Sequence, residues 1–125
     1  MPSVDLASHP IQPTPFGRWQ QLNDALGLKA FGMNAIVCDP GEDFDIEHEE
    51  SDTGHQEAYI VVAGRAQFQI GDERIEAGPG TVVTAPDPAA TRSYRALEPA
   101  TRIVCVGTAI AGAHPYGQWI ADGTG

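Results

Sequence analysis

Four side chains within ten residues, His48, Glu50, His55 and Glu57, are of the types that hold a divalent metal or move a proton. Two imidazoles and two carboxylates suit Fe, Mn, Ni or Zn and leave open positions for water or substrate. In such a site a carboxylate, here Glu50, serves as fourth ligand or general base, and a phenol such as Tyr59 donates a hydrogen bond or a proton. Two other readings of the same residues stay open. Without a metal they form a hydrogen-bonded polar pocket, and without a pocket they belong to a solvated acidic loop. Arg92, near a proline-bearing bend, can hold a carboxylate or phosphate of a ligand or pair with the acidic run. Met33, Phe68 and Tyr94, with Tyr59, either line a pocket or pack the core.

The acidic surroundings of these residues are unusual. The 125-residue chain carries 17 acids against 7 bases, a net charge of −10. Nine of the acids lie between positions 39 and 57 with no Lys or Arg among them, and the rest of the chain is nearly neutral. A charge of that sign repels phosphate backbones and anionic lipid, so no nucleic acid and no membrane are expected as partners. Cys38 and Cys105 sit in the apolar stretches AIVCD and RIVCVG, as core thiols do, and MPSVDLASHP shows no basic and apolar leader. A reducing cytoplasm is therefore expected. No Gly-rich phosphate loop, G-x-S-x-G or C-x2-C is present.

The elements that must position the candidates are short strands. Residues 1–15 contain four prolines and read as an extended N-terminal arm that straps along an edge. RWQQLNDAL places Trp19, Leu22 and Leu26 at i, i+3 and i+7, which predicts a short helix over 18–26 ending at Gly27. KAFGMNAIVC predicts a strand closed by the turn at Pro40-Gly41, and FDIEHE alternates with Phe44, Ile46, His48 and Glu50 on one face. HQEAYIVVAG then puts His55, Glu57, Tyr59 and Val61 on one face. A hairpin turning at Gly71-Asp72 follows with Phe68 and Ile70 inward, and strands over GTVVTAPDP, TRSYRAL and ATRIVCVG complete the series. Seven or so short strands with almost no helix predict an all-β, antiparallel sandwich or small barrel.

PGEDFDIEHEESDTGHQEAYIVVAG followed by IEAGPGTVVTAPDPAATR resembles the two-motif pattern of the cupin superfamily. The likeness covers about residues 28–107, with Glu57-x6-Gly64 at the family spacing. It implies a jelly-roll barrel (an antiparallel double-stranded β-helix) over 16–125, with its core at 28–107, a tail at 108–125 and one short N-terminal helix. The family's first motif supplies two histidines and a glutamate for a metal, and its second motif a third histidine. Here Glu50 replaces the second histidine of His48-Glu49-Glu50, His55 comes two before Glu57, and counting from Pro86 puts Thr91 where the third histidine would be. The substitute set is His48, Glu50, His55 and Glu57. The resemblance implies a small-molecule ligand in the barrel mouth and a metal-dependent dioxygenase, isomerase or lyase. The alternative is a non-catalytic binding module without metal. A homodimer formed through residues 29–38 or the aromatic tail is a further expectation.

Overall fold

A computed structural model of the chain describes residues 2–14, 17–42 and 54–108. Those residues form two antiparallel sheets. The larger has six strands in the order β1 (Gln12–Thr14), β2 (Gly17–Gln21), β3 (Phe31–Cys38), β9 (Thr101–Thr108), β4 (Glu57–Ala63) and β7 (Val82–Ala85). The smaller has three, in the order β6 (Glu73–Ala77), β5 (Ala66–Ile70) and β8 (Arg92–Ala96). A one-turn helix, α1 (Asn23–Leu26), joins β2 to β3. The chain crosses between the sheets on leaving β4, β6, β7 and β8, as in an antiparallel jelly roll.

The core lies between the sheets. Residues paired in register share a face, so the pairing fixes which side chains meet. Ile36, Ile103 and Val61 form one inward row across β3, β9 and β4, with Trp19 of β2 beside Ile36. From the smaller sheet Phe68 and Tyr94 reach in, and Tyr59, Phe68 and Tyr94 form a ring cluster with centroids 5.4 to 6.2 Å apart. Such tilted aromatic packing adds about 1 kcal/mol per pair beyond the area buried.

Sheet pairing overrides the helical spacing expected at 18–26. Residues 17–21 are strand, with Trp19 opposite Ile36, and only Asn23–Leu26 are helical. A strand next to β3 can bury Trp19 against Ile36 and Tyr94, and that burial outweighs a weak local helical preference. Gly27 does end the helix, at φ 70°, in the left-handed conformation that glycine adopts without strain. The hairpin also turns at Gly71-Asp72, between β5 and β6.

The N-terminal arm is tied to the outer side of the larger sheet. Gln20, fully buried, donates from Nε2 to the carbonyls of Leu6 (2.8 Å) and His9 (2.9 Å), and β1 extends the sheet at its edge. At the end of the sheet away from Glu57, Arg18 bonds Asp39 (3.1 Å) and Glu42 (2.6 Å), and Asp39 also accepts from the amide of Ala100 (2.6 Å). The first two acids of the dense acidic run are thus structural partners of one arginine, whose guanidinium they hold still more firmly protonated. The strand expected over 44–49, with His48 and Glu50, lies outside the described residues, as does the aromatic tail.

Candidate functional site

The inward rows turn polar toward one end of the barrel. β4 enters there at Glu57, paired with Gly107 of β9 and Ala85 of β7, and Gly107 in turn pairs with Gly32 of β3. Two adjacent glycines therefore leave the wall beside Glu57 without side chains, as strand glycines do where something approaches the backbone. The next row inward carries Asn34, Cys105, Tyr59 and Val83. Opposite them, β8 enters the smaller sheet at Arg92, paired with Ile70 of β5.

Arg92 and Glu57 meet between the sheets. Nη1 of Arg92 donates to Oε1 of Glu57 at 2.9 Å, with the arginine side chain 1% and the glutamate 11% exposed. The other guanidinium contacts go to the bend before β8: Nη2 to the Asp87 carbonyl (2.8 Å) and Nε to the Ala90 carbonyl (3.2 Å). Residues 86–90 are thereby wrapped around a buried cation, and Gln56 fastens the same bend through the Pro86 carbonyl (3.0 Å). A buried guanidinium needs this many acceptors, because an unpaired charge in the interior costs several kcal/mol.

Tyr59 lies one row deeper on the same inward face as Glu57. Burial first, then the nearby carboxylate, push its phenol far above its ordinary value. That suits a neutral hydrogen-bond donor and works against a proton shuttle near neutral pH. The thiols are inert by the same cause: burial raises Cys38 to about 11, helped by Glu42, and raises Cys105 well above its usual value, helped by Glu57.

Asn34 is 2% exposed, and its Oδ1 is buried with no hydrogen-bond partner. Most buried polar atoms are satisfied, so an unpaired acceptor on the inner wall marks a place where something else bonds. Sequence reasoning passed over Asn34, although a single amide in the apolar run GMNAIVC was its signal.

The other expected site residues divide. Glu57, Tyr59, Phe68, Arg92 and Tyr94 come together inside the barrel. Met33 does not: it pairs with Val106, which pairs with Ala58, and that row faces outward, so Met33 lines no interior pocket. His55 is half-buried just ahead of β4. His48 and Glu50 lie outside the described residues. Thr91, counted as the third histidine's position, precedes β8, and its carbonyl accepts from Gly71; the residue facing inward there is Arg92. At the rim, a groove of about 500 Å³ runs past Phe31, Ala58, Thr84 and Val106 and reaches Glu57 and Gly107 of the mouth.

Among the described residues no three of His, Cys, Asp and Glu gather to hold a divalent metal ion. His55 and Glu57 are the described members of the expected set, and Glu57 already binds a cation, Arg92. The described residues therefore do not fit such an ion.

No protein-family model and no curated protein matches the sequence. Solved structures do. KdgF from Halomonas sp. superposes with a TM-score of 0.68 at 18% identity, over 85% of this chain and 93% of that one. A predicted oxalate decarboxylase from Thermotoga maritima gives 0.70 at 15% identity, over 86% and 99%. A sugar phosphate isomerase of the cupin superfamily from Silicibacter pomeroyi gives 0.64 at 22% identity, over 87% and 76%. Among the described residues no helix is long and apolar enough to cross a membrane. With two antiparallel sheets, one short helix and these neighbours, the chain has the fold of a small cupin.

Proposed function

We propose that the protein binds a small, neutral, hydroxyl-bearing molecule of sugar-like chemistry in the polar end of its barrel, and that this binding does not depend on a metal. The observation that carries the reading is Asn34, whose buried amide oxygen has no protein partner on the wall that also presents Tyr59 and Glu57. An amide offers two donors and an acceptor, and a carboxylate offers acceptors, the complement of a chain of hydroxyl groups. The charge favours a neutral ligand. Arg92 cancels Glu57 inside the barrel, and a chain of −10 repels anions. The sugar phosphate isomerase from Silicibacter pomeroyi, similar in fold, supports the sugar-like part of the ligand by analogy alone and not its neutrality, which rests on the charge.

The test is a calorimetric titration with neutral pentoses, hexoses and polyols, run on the wild type and on Asn34→Leu. Binding of at least one compound, weakened about tenfold or more in the variant, supports the reading, since a lost buried hydrogen bond costs about 1–3 kcal/mol. Binding that survives Asn34→Leu unchanged, or none across the series, contradicts it.

A further inference from the structure

We propose that Arg92 is the resident cation of the barrel mouth and stands on Glu57 in the place that a divalent ion would otherwise take. The proposal rests on the mouth being the ligand site, and it concerns what holds that site together.

Three observations carry it. β8 enters the smaller sheet at Arg92, so Arg92, one residue after Thr91 where the two-motif resemblance calls for a metal-binding histidine, is the residue that faces inward there. Its guanidinium reaches across to Oε1 of Glu57, the residue at the family spacing for the glutamate ligand, at 2.9 Å. It is also fixed from behind by the carbonyls of Asp87 and Ala90, in a side chain 1% exposed. A surface arginine could swing aside to admit an ion. This one would leave two backbone carbonyls unpaired in doing so. If it stayed, a divalent ion on the same carboxylate would face a fixed positive charge across one carboxyl group. The guanidinium thus gives the Glu57 carboxylate the cationic partner that an ion would give it. It also supplies planar donors in fixed directions, which an ion does not.

The experiment is metal analysis of full-length protein incubated separately with Fe(II), Mn(II), Ni(II) and Zn(II) and then dialysed. It covers the wild type, Glu57→Gln, Arg92→Lys and Arg92→His, each checked for folding by near-ultraviolet circular dichroism. The wild type and Arg92→Lys, which keep a cation, should retain less than about a tenth of an equivalent of any metal. Arg92→His exchanges the cation for a donor and should bind Zn(II) or Ni(II) about tenfold or more tightly than Arg92→Lys. A wild type holding close to one equivalent, lost in Glu57→Gln, overturns the proposal. So does an Arg92→His protein that folds and binds no better than Arg92→Lys. Should Arg92→His not fold, the wild-type and Glu57→Gln measurements decide by themselves. No organic ligand enters the measurement, so failure to find the sugar-like molecule leaves its outcome intact.

Discussion

Arg92 of β8 and Glu57 of β4 are 35 positions apart in sequence and belong to different sheets, yet their side chains meet at 2.9 Å inside the barrel. The pair is the one buried ion pair among the described residues, and it joins the two sheets at the end where the inner wall becomes polar. Its geometry makes one partner's removal more damaging than the pair's replacement. Arg92→Ala strands a buried carboxylate and two carbonyls and should cost about 3–5 kcal/mol. Glu57→Gln, which keeps an acceptor for Nη1, should cost distinctly less. Urea unfolding of both variants checks the order, and equal losses would contradict it.

Asn34 has the opposite signature. A residue kept for a ligand at the expense of the empty fold should be improved by an apolar replacement of similar size. Asn34→Leu removes a buried, unpartnered acceptor and should raise the unfolding free energy of the ligand-free protein by about 1 kcal/mol. A destabilised Asn34→Leu would show that the amide serves the fold.

Gly64 provides a test of the backbone that carries the site. It lies just after β4 at φ +73°, and a Cβ there would come within 2.7 Å of the Thr101 Cα and closer still to its hydroxyl oxygen. Gly64→Ala should therefore cost about 2 kcal/mol or more, through strain and overpacking together. Gly71, equally left-handed but with open space at its Cβ, should suffer less from the same change. Thermal unfolding of the two variants gives the comparison.

Stability should fall with rising pH on the alkaline side. Below about pH 9 both the folded and the unfolded chain keep Cys38 protonated, and its contribution is constant. Between the ordinary value of 9.0 and the folded value of about 11 the unfolded chain loses that proton first, so stabilisation is lost as the pH rises. Cys105 and Tyr59, also raised by burial, act in the same direction. Urea midpoints measured from pH 8 to 11 should decline steadily, and at pH 8 a thiol reagent should label both cysteines far more slowly in the folded protein than in the unfolded one. Fast labelling of native protein would contradict the account.

Much of this was legible in the sequence, and the rest was hidden for identifiable reasons. The alternation of EAYIV put Glu57, Tyr59 and Val61 on one face, and they are on one face. The glycine turn at 71–72 was equally plain because a two-residue hairpin leaves little freedom. β3 was harder to orient. GMNAIVC is apolar on both sides of the strand, so period-two reasoning had nothing to grip, and Met33 was assigned to the interior that Asn34 occupies. Arg92 was legible as a pocket residue or a partner of the acidic run, and it pairs with Glu57 of that run; its place beside the third-histidine position was hidden by counting. Counting residues from Pro86 landed on Thr91, one position short of the strand, and a one-residue offset exchanges the inward for the outward face. A lone arginine also gives no sign in sequence that it will be buried, since only the carboxylate waiting across the barrel makes burial affordable.

The proposed ligand, a small hydroxylated molecule, would sit against Asn34, Tyr59 and Glu57 inside the barrel. The most direct measurement is a proton–nitrogen correlation spectrum of the labelled protein, titrated with the tightest binder from the sugar and polyol series. The account predicts that the largest shifts fall on the backbone amides of residues 32–34, 57–59 and 105–107 and on the side-chain amide of Asn34. Shifts confined to Ala30, Phe31, Gln56 and Thr84 on the rim, with the Asn34 side chain and Tyr59 unmoved, would contradict it.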